Sequence, residues 1–408
     1  MSKSFSQFLN ILIFIFPIVI CLVQVAGDIV LFVIAMMGMF IIITKRISPF
    51  NIKEIKVFSY LSIGYFTAVC LSVLFSNQAQ ELAHYIPRDF YFLFAPIIAL
   101  VFYKAEMNFN YLLTGTKVAL LILGMMTLYQ LMLGEDRHYG VMNPNVLGNL
   151  TVSMFFIVLP FFQHESLKYK LFTLVSLISG LLTIIVSGSR GAWLSFIMLI
   201  GIYLYFLYKQ KNKLNKKLKI ILVVITISLL SIGSFNQTIK DRVNESIHYA
   251  SVWLSGTEEE RLYEDLNSVS LRFHMYQKAL DNINDVPFFG HGYRTSNITL
   301  FKNDLDIMGL KSVQFNHLHN AYLTNYFNGG VVLLGALLLL LFLPLRIFIK
   351  TNIQNRENPV FISGAILTLG YASFGMVNIL FGDTYMNGFY VFFLAIILLI
   401  TNKSIKGL

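Results

Sequence analysis

Apolar runs close to twenty residues long follow one another down this chain, separated by short polar breaks. A helix needs about 20 mostly apolar residues to cross bilayer hydrocarbon. The pattern therefore predicts about a dozen transmembrane helices, near 8–26, 28–44, 57–75, 90–104, 111–133, 146–162, 171–187, 191–208, 220–235, 331–349, 359–377 and 386–402. One stretch breaks the pattern. Between 236 and 317 polar residues dominate, yet a helical period persists: Ile239, Val243 and Ile247 recur every fourth residue, as do Leu271, Met275 and Ala279. Ser270 is placed to cap the second of these helices, expected over 271–284, and Pro287 with Gly290 to end it. The expected organisation is nine membrane helices in 1–235, a helical external segment in 236–330 and three membrane helices in 331–408. The external segment closes with a short helix from about Asn320, broken at Gly329-Gly330.

Composition agrees with an all-α integral membrane protein: 56% of the 408 residues are hydrophobic and 13% charged, against about 25% charged in soluble domains. The apolar stretch from Phe8 has no small-residue cleavage site, so the first helix is expected to stay as an anchor. Charge gives the orientation. With a cytoplasmic N-terminus, 20 of the 31 Lys and Arg residues fall in cytoplasmic segments, as the positive-inside rule requires. The short outer turns then hold only Arg88, Arg137 and Arg190, and 236–317 carries eleven of the 21 acids on the outer, periplasmic side. This distribution accounts for the net charge of +10 without a nucleic-acid partner. Cys21 and Cys70 lie inside apolar runs and read as small buried hydrophobes.

The chemistry available is basic and imidazole-based. Arg190 sits between two spans, flanked by Ser187-Gly188-Ser189 and Gly191-Ala192-Trp193. It either snorkels to headgroups or clamps a phosphate, since small neighbours let an anion reach the backbone. Arg272 adjoins the Leu271/Met275/Ala279 stripe, where a solvated salt bridge is the plain alternative. Arg88 has Asp89 beside it to pair with. Arg137, His138 and Asn145 surround an Asn-Pro-Asn turn that turn chemistry alone can explain. His319 is the sharpest candidate, next to Asn320 and two residues after His317, where a helix begins. A helix N-terminus disfavours imidazolium, and a neutral imidazole is what a general base requires. No P-loop, serine-nucleophile motif or metal-ligand spacing occurs, so no cofactor or metal is expected.

Three motifs carry a family resemblance: Ser189-Arg190-Gly191-Ala192-Trp193; Ser270-Leu271-Arg272 leading to Pro287-Phe288-Phe289-Gly290; and His317-Leu318-His319-Asn320, followed after nine residues by Gly330. Together with the topology, they make the chain resemble the bacterial O-antigen ligases. The wider superfamily also holds O-antigen polymerases and protein O-oligosaccharyltransferases. Leu333 departs from the family's motif, which has Gly, Thr or Tyr there. The resemblance implies an inner-membrane enzyme similar to the C-type membrane glycosyltransferases, with its site facing the periplasm. It implies a metal-independent, inverting transfer from an undecaprenyl-pyrophosphate-linked glycan to lipid A-core. By the same resemblance His319 is catalytic, Arg190 and Arg272 hold the pyrophosphate, and Arg88, Arg137, His138, Asn145, His317 and Asn320 are candidates for substrate contacts. A polymerase and a polytopic transporter of lipid-linked glycan are the alternatives. Transporters usually place ionisable groups near the midplane, whereas here the polar groups gather at one face.

Overall fold

The computed structural model describes residues 2–23, 25–76, 86–135, 142–209, 237–256, 269–301, 317–354 and 358–406. Regular structure among them is entirely helical. The helices are α1 (Lys3–Leu22), α2 (Ala26–Lys45), α3 (Lys53–Leu74), α4 (Phe90–Lys104), α5 (Phe109–Met132), α6 (Pro144–Val158), α7 (Leu167–Val186) and α8 (Arg190–Lys209). Then come α9 (Gln237–Ser255), α10 (Ser270–Asp281), α11 (Ser296–Phe301), α12 (Ala321–Gln354), α13 (Pro359–Phe374) and α14 (Thr384–Lys406).

Among the described residues, ten helical stretches are long and apolar enough to cross a membrane, and α13 is a shorter apolar helix. The chain is thus a multi-pass, all-α membrane protein. Each lies where the hydrophobic pattern expects a span, while the expected span at 220–235 falls outside the described residues. Helix ends reach past the apolar runs. At α1, Ser2 Oγ accepts from the Phe5 backbone N–H at 3.3 Å and extends the helix into polar sequence.

Helices α6, α13 and α14 form the centre of the bundle and are buried on nearly all sides. That suits helices apolar around their whole circumference. Lipid tails are as apolar as leucine, so contacts between helices draw on packing and on polar groups. Thr127 of α5 and Thr183 of α7 share a hydrogen bond at 3.1 Å. Ser363 of α13 donates to the Ile157 carbonyl of α6 at 2.9 Å, and Tyr390 of α14 to the Leu340 carbonyl of α12 at 2.9 Å. Lys117 of α5 pairs with Glu165 in the turn before α7, and Thr173 also donates to Glu165.

The helices between 236 and 317 depart from expectation at both ends of α10, which stops at Asp281 with Asn282 as its C-cap, before Pro287 is reached. Ser270 is the first residue of α10 and is buried; the cap position is Val269, with no side-chain cap bond. Packing, through Met275 and Ala279 against Leu318 and Phe327, fixes α10 instead.

Helix α12 breaks where the glycine pair predicts. Gly330 has φ +61°, and a Cβ there would lie 1.9 Å from the Phe288 carbonyl oxygen. The 287–292 strap crosses the break, with His291 N–H donating to Phe327 O at 2.8 Å and Gly292 N–H to Asn328 O at 3.0 Å. Gly330→Ala combines left-handed strain with a backbone clash, and is expected to cost more than ~2 kcal/mol. The measurement is thermal unfolding of the detergent-solubilised protein; an unchanged midpoint contradicts the assignment.

Candidate active site

Four separate pieces of chain meet at one end of the bundle. The first is the α7–α8 turn. Gly188 adopts φ +63°, Ser189 Oγ accepts from the Ala192 N–H at 3.3 Å, and Trp193 Nε1 donates to the Ile184 carbonyl at 3.0 Å. This places Arg190 at the first position of α8. Its guanidinium pairs with Glu245 of α9 through Nη2, while Nε is buried without a hydrogen-bond partner. Arg242, also on α9, donates to the Gly188 carbonyl at 3.2 Å.

The second piece is α10. Burial depresses the Arg272 pKa, and the neighbouring Arg190 charge depresses it further, while Tyr276 acts in the opposite direction. Two guanidinium groups therefore repel one another here, an arrangement an anion relieves. Tyr276 hydroxyl donates to the His319 carbonyl at 2.9 Å and approaches the Met376 carbonyl at 3.4 Å.

The third piece is 317–320. His319 has φ +49°, uncommon for a residue carrying a Cβ, and its surroundings hold it there. Asn320 Oδ1 accepts from the Tyr322 and Leu323 N–H groups, each at 3.0 Å, and so caps α12. Asn320 Nδ2 donates to Met376 O at 3.2 Å, Ala321 N–H to Gly375 O at 2.7 Å, and Leu318 N–H to Thr324 Oγ1 at 3.1 Å. The histidine segment is thereby tied to the turn after α13. Asn378 of that turn hydrogen-bonds the His319 side chain, whose Nδ1 is buried and unpartnered. The His317 and His319 rings lie 4.4 Å apart between centroids.

Burial first, and then the Arg272 charge, pushes His319 down to about 4; the Asn378 bond opposes them. Burial, His319, Arg294 and Arg272, in that order, push His317 down to about 3. Both rings are neutral at pH 7. The sequence reading expects neutrality from a helix terminus, whereas burial and fixed positive charge account for it.

The fourth piece is a polar cluster around Arg294, which the sequence reading missed. Arg294, at φ +59° and buried, donates to Gly382 O at 3.1 Å. Tyr293 donates to the buried Asp89 at 2.5 Å, and Asn387 Nδ2 donates to the Arg88 carbonyl at 2.7 Å. Arg294 acts electrostatically on His317, so this cluster adjoins the imidazoles. The signal for it was the glycine-rich run Gly290-His291-Gly292 immediately before Tyr293-Arg294. Glu245 and Asn378 had no local signal.

The structure thus brings together Arg190, Arg272, His317, His319 and Asn320. Arg88 lies in the Arg294 cluster, its Nη1 3.4 Å from Gly382 O. Asn145 sits half-buried at the start of α6, where its N–H donates to Asn143 Oδ1 at 2.9 Å. That is the turn chemistry its sequence allows, and no described contact joins it to the imidazoles. Arg137 and His138 lie outside the described residues. Among the described residues no group of three His, Cys, Asp or Glu side chains is arranged to hold a metal ion.

A bundle of membrane helices carrying paired arginines and neutral imidazoles at one end defines a class of polytopic membrane protein equipped to hold an anionic headgroup beside a base. Residues 174–340, which contain Arg190, Arg272, His317 and His319, match the family described as O-antigen ligase. Members of that family are glycosyltransferase-like enzymes. A Haemophilus influenzae protein described as uncharacterized is 29% identical over 369 residues, an alignment covering 87% of this chain and 88% of its own.

Proposed function

We propose that this protein is an O-antigen ligase of the bacterial inner membrane. In this reading it transfers O-antigen polysaccharide from undecaprenyl pyrophosphate to lipid A-core at the periplasmic face. The observation that carries the reading is the convergence of Arg190, Arg272 and His319 from three distant parts of the chain, with Arg190 acting electrostatically on Arg272 and Arg272 on His319.

The chemistry follows from that placement. The acceptor hydroxyl oxygen bonds to the anomeric carbon of the donor sugar on the face opposite the diphosphate. The bond from that carbon to the diphosphate oxygen breaks, and its electron pair leaves with the diphosphate, so the anomeric configuration inverts. Arg190 and Arg272 lower the energy of the negative charge gathering on the leaving group, an effect strengthened by their partial burial. His319 receives the hydroxyl proton. Its Asn378 bond favours the protonated ring, and Nδ1 is the nitrogen without a partner. A base held this low accepts the proton only after the hydroxyl oxygen has begun to bond to carbon and become acidic. Neither residue set requires a metal ion in this scheme.

A polymerase of the same superfamily uses the same donor and differs in acceptor. The test is transfer by purified protein from lipid-linked donor to lipid A-core, with and without a chelator. Polymer-bearing lipid A-core at equal rates in both supports the proposal. Elongated lipid-linked chains with no core product favour the polymerase, and loss of activity in chelator contradicts the metal-free scheme.

A further inference from the structure

The contact between Arg190 and Glu245 bears directly on how the anion site is filled. Arg190 comes from the start of α8, Glu245 from the middle of α9, and their side chains are 20% and 38% exposed. The carboxylate engages Nη2, while the adjacent Nε–H is buried and satisfied by nothing. A guanidinium binds anions best through two parallel N–H donors, so this pairing leaves one arm of the fork unused. Among the described residues Arg272 has no carboxylate partner and remains exposed to the Arg190 charge. Among the described residues this pair of guanidinium groups has one carboxylate contact, that of Arg190 with Glu245.

We infer that Glu245 is a stand-in for the donor's diphosphate and sets the affinity of the site by being displaced when that diphosphate binds. This rests on the diphosphate reading of Arg190 given above. A diphosphate brings several oxygens and at least two negative charges. It can satisfy Nε and Nη2 of Arg190 together and neutralise Arg272 as well, which one carboxylate on Arg190 does not do. The incoming charge also repels Glu245. Helix α9 need not leave, because Arg242 to Gly188 O at 3.2 Å and the Trp253–Phe273 ring stack at 5.5 Å attach it independently of Glu245. In the empty site the carboxylate keeps two like charges tolerable. In the filled site it turns outward and lowers the affinity for the diphosphate product, which aids release.

The probe is inorganic pyrophosphate, titrated by calorimetry against the purified full-length protein, its Glu245→Gln variant and its Arg190→Gln variant in the same detergent. A part-exposed ion pair of this kind is worth up to about fivefold in binding. The inference expects Glu245→Gln to bind pyrophosphate about two- to fivefold more tightly than the parent, and Arg190→Gln to bind it more weakly than either. Equal or weaker binding by Glu245→Gln overturns the inference and makes Glu245 an orienting partner of Arg190, leaving the diphosphate reading intact. No binding by the parent or by Glu245→Gln overturns the diphosphate reading itself. Glu245→Ser replaces the glutamine variant if that one inserts poorly, with the same expectation. In the transfer assay the split is equally direct: a lower KM for the lipid-linked donor supports displacement, and a raised KM contradicts it.

Discussion

Replacing His319 with alanine lowers transfer to lipid A-core by ~10²–10⁴-fold, the range a positioned general base supplies. Lipid-linked polymer accumulates while the protein still inserts and folds. The backbone at 319 does not depend on the imidazole, because the Tyr276 hydroxyl, the Asn320 side chain and the Ala321 N–H tie the segment in place. His317→Ala is milder, since His319 is the ring that Asn378 hydrogen-bonds. The pH profile gives a sharper test. An ordinary histidine titrates near 6.5, whereas burial and Arg272 hold His319 down to about 4. The proton-free ring therefore persists well below pH 6.5, and the acidic limb of kcat/KM falls towards pH 4. Bound diphosphate offsets the Arg272 charge, so the corresponding limb of kcat lies at higher pH. The depressed values also fix the sign of a stability effect. Unfolded histidines take up protons as pH falls below 6.5 while the folded ones do not, so stability is lost from about 6.5 down to about 4 for His319 and about 3 for His317. A normal acidic limb near 6.5 for kcat/KM, or ladders at full level in His319→Ala, contradicts the assignment.

Lysine in place of Arg190 or Arg272 is nearly as damaging as alanine, by about 10–100-fold in kcat/KM for the donor, the worth of a charge-assisted hydrogen bond lost from a half-buried site. Arg190 acts through the geometry of its fork, with Nε and Nη2 on one edge, and a single ammonium cannot reproduce two parallel donors. Arg272 adds a second reason. It lies in a desolvated position beside another cation, and an ammonium is more strongly hydrated than a guanidinium, so burying it costs more. Steady-state kinetics with lipid-linked donor decide the matter. A fully active Arg190→Lys protein shows that residue to be snorkelling to headgroups instead.

Part of this arrangement was written locally. The spans are legible because bilayer hydrocarbon has a fixed thickness and every backbone polar group inside it must be bonded within the helix, so run length alone places α1 to α8 and α12 to α14. The break in α12 is equally local, because Gly329-Gly330 allows backbone angles other residues resist. The cap at Asn320 and the buried stripe of Met275 and Ala279 follow from short-range spacing. Ser270 shows where local reading stops, since a residue suited to capping was instead drawn into the packing of α10.

The candidate residues Arg190, Arg272 and His319 could be named from sequence because they are rare polar groups beside apolar helices and because their motifs resemble a family. Their partners could not. Glu245 reaches Arg190 across 55 residues, Tyr276 reaches the His319 carbonyl across 43, and Tyr293 reaches Asp89 across 204. No period or local motif encodes such contacts. They exist because the bundle's packing sets which helix ends become neighbours. The same packing supplies the burial that keeps both imidazoles neutral, a property the sequence reading assigned to a helix terminus. The chain's own pattern determined that it crosses the membrane many times and gathers its polar groups at one face. Which of those groups touch, and in what protonation state, was decided only when distant segments were brought together and water was excluded between them.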